Sequence, residues 1–310
     1  MILQQILNSL SLGSMYALIA IGYTMVYGIL RLINFAHGDI MMVGAFSTFV
    51  FYQMFEKIPC ALCASLGVFQ NSFLMAVMMG ILVASLVGVL TYKVAYKPLL
   101  DKNAPKISLL ITAIGISFFL ENLFNMFFGG VPQAFKYPTF LDKTFEIFGA
   151  VTTFSSILIA IFTFFVLGIV LWFLNKTKYG LAIKAIAFDI DTIKLMGINA
   201  NFLIMIVFVI GSSLASLGGV FYAISYPTID PLMGVLVGLK AFAAAVLGGI
   251  GSVAGAAIGG FILGFSEIFV VAFFPNLAGY KDAIAFVFLI FILLFRPSGI
   301  MGIDFEKKRF

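Results

Sequence analysis

Charge is what this sequence has least of. Only 10% of its 310 residues are Asp, Glu, Lys or Arg, against about 25% in a soluble domain, which excludes an ordinary soluble globule. Long polar stretches are missing too, so a disordered chain is excluded. Two cysteines are too few for a disulfide scaffold. His37 is the only histidine, and together with Cys60-Ala-Leu-Cys63 it cannot assemble four zinc ligands, so no metal site is expected. The two thiols are either small apolar side chains of a loop or a local disulfide or redox pair. There is no Gly-Lys dipeptide and hence no P-loop, and neither GxSxG nor HExxH occurs. No catalytic residue and no cofactor are therefore expected, and if ATP drives this protein another chain must bind it. No Lys or Arg precedes Arg31, so the N-terminal apolar segment lacks the basic start of a cleaved signal and is expected to remain as a membrane helix.

What is present is apolar. Hydrophobic residues make up 63% of the chain, with 37 Phe and 30 Gly, and the mean hydropathy is +1.16. This composition predicts an all-α polytopic transmembrane bundle of about 8–9 spanning helices, packed through small residues, in a single membrane domain over residues 1–310. Candidate spans lie at 6–30, 33–52, 73–92, 107–128, 150–174, 202–222, 252–274 and 283–296, with a shorter apolar segment at 236–249 that either spans or re-enters. Lys93, Lys97, Lys102 and Lys106 mark one loop as cytoplasmic, Lys176, Lys178, Lys184 and Lys194 a second, and Arg296, Lys307, Lys308 and Arg309 the tail. The loops at 53–72, 129–149 and 223–235 are then external. Counting 236–249 as a crossing gives nine, with the N-terminus outside and the C-terminus inside. The net charge of +5 thus reflects orientation in a bilayer rather than nucleic-acid binding.

Charges within the spans are few: Asp39, Glu121, Glu267 and Lys240. A central charge costs about 2.5–3.5 kcal/mol on insertion scales, so each should face protein or water. Glu121 and Asn125 share a helix face, as either the polar wall of a solute path or an interhelical hydrogen-bonding group. Asp39 and Lys240 lie near enough to span ends to be expected to snorkel. His37 could carry a proton, but a turn or helix start capped by Asn34 and Asp39 accounts for the segment more simply. Gly251, Gly255 and Gly259 recur at four-residue spacing, with Gly260 and Gly264 in a second row. They suit close helix packing within the chain, contact with a second membrane subunit, or a broken helix beside a pathway. In the loop at 177–199, Ala182, Ile186, Ile190 and Ile193 form an apolar stripe, with Lys184, Phe188, Asp191 and Leu195 opposite and Gly197 as the stop. Such a helix suits either a soluble partner or the headgroup layer.

Six segments carry a family resemblance along nearly the whole chain. They are Leu12-Gly13-Ser14-Met15-Tyr16-Ala17-Leu18, Ile33-Asn34-Phe35-Ala36-His37-Gly38-Asp39, Ile111-Thr112-Ala113-Ile114-Gly115, Leu195-Met196-Gly197-Ile198-Asn199, Ala244-Ala245-Val246-Leu247-Gly248-Gly249 and Arg296-Pro297-Ser298-Gly299-Ile300-Met301-Gly302. On these, the chain resembles the membrane permeases of bacterial high-affinity branched-chain amino acid ABC importers, of the LivH type. The resemblance implies an inner-membrane transport subunit, not an enzyme, paired with a homologous second permease, two cytoplasmic ATPases and a periplasmic amino-acid-binding protein. It implies that Lys184, Phe188, Asp191, Leu195 and Gly197 belong to the ATPase-docking segment. Asn34, Asp39, Thr112, Glu121 and Glu267 are the expected polar residues of a substrate path. Related permeases serve urea and short amides, and an ion-coupled carrier using Asp39, Glu121 or Glu267 is the other class that the residues allow. Leu181 and Lys184 stand where the family often has arginines, and Glu121 where an uncharged Gln can occur.

Overall fold

The computed structural model describes residues 2–57, 72–187, 195–296 and 298–302. Cys60, Cys63, Phe188, Ile190, Asp191 and Ile193 lie outside the described residues, as do Lys194, Lys307, Lys308 and Arg309. The chain is helical at all nine expected spans: α1 Ile2–Leu30, α2 Ala36–Lys57, α3 Ser72–Leu90, α4 Lys106–Phe128, α5 Phe154–Lys176, α7 Ala200–Ser225, α8 Met233–Gly248, α9 Val253–Phe273 and α10 Lys281–Phe295, with α6 Lys178–Ile186 between α5 and α7. Helix α3 runs on through a π-turn, Thr91–Tyr96, into Lys97–Asp101. Six of these helices are long and apolar enough to cross a membrane, and α8 is a shorter apolar one.

Helix α1 is apolar around most of its circumference and is the axis of the bundle, buried from Leu12 to Val26. Helix α9 lies along it through small residues: a Cβ on Gly260 would collide with Ala17, and one on Gly264 with Gly13. Helix α8, at about 24 Å, is shorter than the ~30 Å hydrocarbon layer. Twelve of its sixteen residues are buried, so it lines the interior and meets little lipid. Gly255 and Gly259 press against the backbone of Gly248 and Ala244 on α8, which makes the glycine row a packing device within this chain. Gly251 departs from that row: it sits at φ 93° in the turn joining α8 to α9, where its N–H approaches Thr24 Oγ1 at 3.4 Å.

Helix α3 shows how a helix without hydropathy contrast finds its neighbours. Its buried residues are Ala76, Gly80, Ala84 and Gly88, one per turn, and Gly80 and Gly88 abut Thr48 of α2 and Ser212 of α7. Leu74, Met78, Leu82, Leu86 and Leu90 form the exposed stripe opposite. Size rather than polarity decides which side is inside, because lipid is as apolar as leucine.

The loops separate to the two ends of the bundle in the sets expected from the lysines. At one end, Gln133–Ala134 pairs with Thr228–Ile229, and a hairpin, Thr144–Ile147 with Ala150–Thr153, receives a hydrogen bond at Val151 O from Gln4 Nε2 (2.7 Å). The hairpin turns through Phe148 and Gly149, both at positive φ, as a two-residue connection requires. Its strands lie within what the sequence presents as a plain external loop and a span start at 150, so α5 begins at Phe154 instead. At the other end, Arg31 Nη2 donates to Ala187 O (2.7 Å) and Tyr92 Oη to Asn201 Oδ1 (2.9 Å). There too, the segment after α10 folds back on the end of α8: Ile300 N donates to Leu247 O (3.0 Å) and Met301 N to Gly248 O (2.9 Å). Gly249 is fixed at φ 108° against Gly302, a position without room for a side chain. Two of the segments that carry the family resemblance are thus joined in space.

Candidate functional site

Two buried polar clusters occupy the bundle. The first spans α2 and α4. Asp39, 1% exposed, lies in the first turn of α2, which starts at Ala36 after a bend over 31–35. Ser117 on α4 donates its hydroxyl to Asp39 Oδ2 and lies 3.3 Å from Oε1 of Glu121, one turn further along and 8% exposed. Among the described residues no Lys or Arg forms an ion pair with Asp39 or Glu121, and Asp39 Oδ1 has no hydrogen-bond partner. Close by in sequence, Asn34 Oδ1 accepts from Tyr96 Oη (3.0 Å), while its Nδ2 is buried without a partner. The Asn34 side chain is therefore engaged by Tyr96 and does not cap α2 as expected; only its backbone carbonyl accepts, from His37 N at 3.1 Å. The His37 ring lies against Gly22 and 4.5 Å from the Tyr23 ring, and its Nε2 is unpartnered.

The second cluster joins α1, α8, α9 and α10. Lys240 Nζ reaches Glu267 Oε1 and Oε2 at 3.0 and 3.1 Å and Tyr16 Oη at 3.2 Å. Tyr16 Oη in turn donates to Glu267 Oε2 at 2.9 Å. Asp282 pairs with the same ammonium, and Lys281 lies 3.7 Å from Glu267. Lys240 and Glu267 are each 3% exposed. Two cations face two carboxylates, so this cluster is neutral. Desolvation of each ion, several kcal/mol by general estimate, is offset only when a partner is this close and its other hydrogen bonds are made.

These positions overturn one expectation. Neither Asp39 nor Lys240 snorkels to a span end; both are buried in the bundle, Asp39 because α2 starts inside the packed core and Lys240 because Glu267 and Asp282 receive its charge. Of the five expected path residues, the structure brings Asp39 and Glu121 together, with Asn34 near the start of α2. Thr112 bonds its own helix at Ser108 O (2.8 Å), and Glu267 belongs to the other cluster. Asn125, expected beside Glu121, is exposed. Ser117 and Tyr16 are additions; Ser117 stands four residues before Glu121 and so shares its face, whereas Tyr16 lies in a segment that carries the family resemblance but nothing in its spacing pairs it with Glu267. The cavity that includes Asn34 with Tyr23 and Phe242 measures about 10 Å³, less than an amino acid needs.

At the lysine-rich end, α6 buries Ile183 and Ile186 and leaves Lys184 exposed; of the expected stripe Ile186 is buried and Ala182 half-buried, Ile190 and Ile193 lie outside the described residues, and Ile183, not Ala182, is the second residue of the buried face. Thr177 caps it, its Oγ1 accepting from Gly180 N at 3.0 Å. Leu195 is 88% exposed, Gly197 turns at φ 75°, and Asn199 caps α7 through Phe202 N (3.2 Å).

Residues 5–293 match the family described as the branched-chain amino acid transport system permease component. The chain is 42% identical to the high-affinity branched-chain amino acid transport permease BraD of Pseudomonas aeruginosa, over 97% of this chain and 95% of the relative. It is 39% identical to LivH of Escherichia coli K12, with the same coverage, and 27% identical to a probable LivH of Methanocaldococcus jannaschii over 96% of this chain and 91% of the relative. No solved structure matches. With a family match over nearly all of its length, two relatives near 40% identity and a polytopic helical bundle to accommodate them, this chain belongs to the branched-chain amino acid transport permease family.

Proposed function

We propose that this chain is the membrane permease subunit of an ATP-binding-cassette importer that moves leucine, isoleucine and valine across the inner membrane. It is a single membrane domain with its N-terminus outside and C-terminus in the cytoplasm. Its partners are a second homologous permease, two cytoplasmic ATPases and a periplasmic amino-acid-binding protein, and the ATPases carry out the hydrolysis. The observation that carries this reading is the family match together with the polar centre of Asp39, Ser117 and Glu121 held between two helices of an apolar bundle. Polar groups between helices of such a bundle suit a path that partners open to one side and then the other by alternating access. Asp39 and Glu121 are assigned to the path, with Asn34 and Thr112 at its margin; the neutral setting of Glu267 supports a scaffold role for it beside the path. Lys184, Leu195 and Gly197, with Phe188 and Asp191, form the ATPase-docking segment.

The test is uptake of radiolabelled leucine into liposomes containing the chain with its partner permease, ATPases and binding protein. ATP-dependent uptake is expected, and none is expected from the chain alone under a proton or sodium gradient. Gradient-driven uptake by the chain alone would establish a carrier instead. Docking is checked by pull-down: Leu195→Ala removes an interface anchor, costs about 1–2 kcal/mol of ATPase binding and leaves the detergent-solubilised permease folded. Undiminished ATPase capture by that variant would remove the docking assignment.

A further inference from the structure

The two polar clusters differ in a way that points to a ligand. Around Lys240 every charge has an opposite one within reach. Around Asp39 there are two carboxylates, one serine hydroxyl and no cation among the described residues, and Asp39 Oδ1 is buried with nothing to accept from. Ser117 has a single proton, and its hydroxyl serves Asp39 Oδ2, so Glu121 is left with one long contact at 3.3 Å. Among the described residues such a centre lacks positive charge and has more acceptors than its one donor, the Ser117 hydroxyl, can satisfy. Independently, Asn34 Nδ2, just before the helix that carries Asp39, is a buried donor with no acceptor. Asn34 Nδ2 and Asp39 Oδ1 are thus an unused donor and an unused acceptor five residues apart in sequence, and a zwitterion carries the complement of each, a carboxylate that accepts and an ammonium that donates. The two carboxylates also come from different helices, α2 and α4, and α4 is packed on one side only: a Cβ at its Gly115 would meet nothing within 4 Å. A cationic group between them would draw α4 toward α2, and its departure would release it.

We infer that Asp39, Ser117 and Glu121 form a binding site for a cationic group, and that this group is the α-ammonium of the transported amino acid. The inference rests on the reading of this chain as an amino acid permease. An inorganic monovalent cation would satisfy the same oxygens, so the experiment separates the two sources.

The complete importer, with the chain as wild type, Asp39→Asn, Glu121→Gln or both, is reconstituted in liposomes. Leucine uptake per ATP hydrolysed is measured in sodium, potassium and N-methylglucamine chloride. Thermal midpoints of the solubilised complexes exclude misfolding, and Asp39→Glu serves as the charge-conserving variant. The expected result is wild-type uptake independent of the bulk cation, a fall of about tenfold or more in the double variant at an unchanged midpoint, and partial recovery in Asp39→Glu. Uptake per ATP unchanged in the double variant, with the wild type active, would overturn the site. Wild-type uptake that requires sodium or potassium, with the requirement lost in Asp39→Asn, would overturn the ammonium assignment in favour of an inorganic cation. A wild-type importer that moves no leucine, isoleucine or valine would refute the proposed function, and the ammonium assignment with it.

Discussion

Lys240 with Glu267 and Asp39 with Glu121 are both charged, both buried, and built from helices of the same bundle, yet they are opposites in electrostatic design. The Lys240 centre closes on itself: ammonium, two carboxylates and a tyrosine hydroxyl use each other, and they tie α1, α8, α9 and α10 into one unit. The Asp39 centre is open, since two carboxylates meet across α2 and α4 with one hydroxyl between them and no counter-charge among the described residues. A closed cluster resists change because removing any member strands the others. An open cluster loses little in stability when a member is neutralised, so its charges are affordable only if they serve something besides the fold. The comparison separates a self-satisfied cluster from one with unused acceptors, within residues that composition alone would treat alike.

The largest expected effect follows from opening the closed cluster. Lys240→Met strands Glu267, which is 3% exposed, and should destabilise the permease by about 3–5 kcal/mol, read as a lower thermal midpoint and poor recovery from detergent. Adding Glu267→Leu should restore much of that loss, because the remaining Lys281 and Asp282 are only partly buried. A double variant no better than Lys240→Met would show that the pair is not the unit described. Asp39→Asn should leave the midpoint within about 1 kcal/mol of wild type, because no ion pair is broken. If it unfolds the protein as Lys240→Met does, the contrast fails. The smallest effect is expected from Ser117→Ala, which removes one hydrogen-bond donor at about 1 kcal/mol and should lower leucine uptake only a few-fold while both carboxylates persist.

Much of the fold was legible because bilayer thickness fixes the length of an apolar run. The nine spans and the two sets of loops follow from that and from the lysines, and the structure departs mainly at their edges. The hairpin at 144–153 was hidden because its strands are four residues long and its turn is Phe-Gly, not the Asn-Gly that signals such a connection. The packing side of α3 was hidden for another reason: Ala76, Gly80, Ala84 and Gly88 differ from their leucine and methionine neighbours in volume but hardly in hydropathy. At the site, Asp39 and Glu121 stood out as carboxylates inside apolar spans, and Ser117 could have been added from its spacing. Their meeting across 82 residues of sequence, and the partnership of Lys240 with Tyr16 and Glu267, are tertiary facts. Proximity to a span end suggested snorkelling for Lys240 because a sequence shows how far a residue is from the end of its helix and not what lies beside it.

The most direct test of the division between path and scaffold is cysteine accessibility at the open centre. In the reconstituted importer with Cys60 and Cys63 replaced by Ser, Ser117→Cys is exposed to a membrane-impermeant cationic thiol reagent during ATP turnover, with and without leucine-loaded binding protein. Modification during turnover, slowed several-fold when leucine occupies the route, is the predicted result. A thiol at 117 that stays unmodified through the whole cycle, in a complex that still transports leucine, would contradict the account by showing that the route does not pass between Asp39 and Glu121.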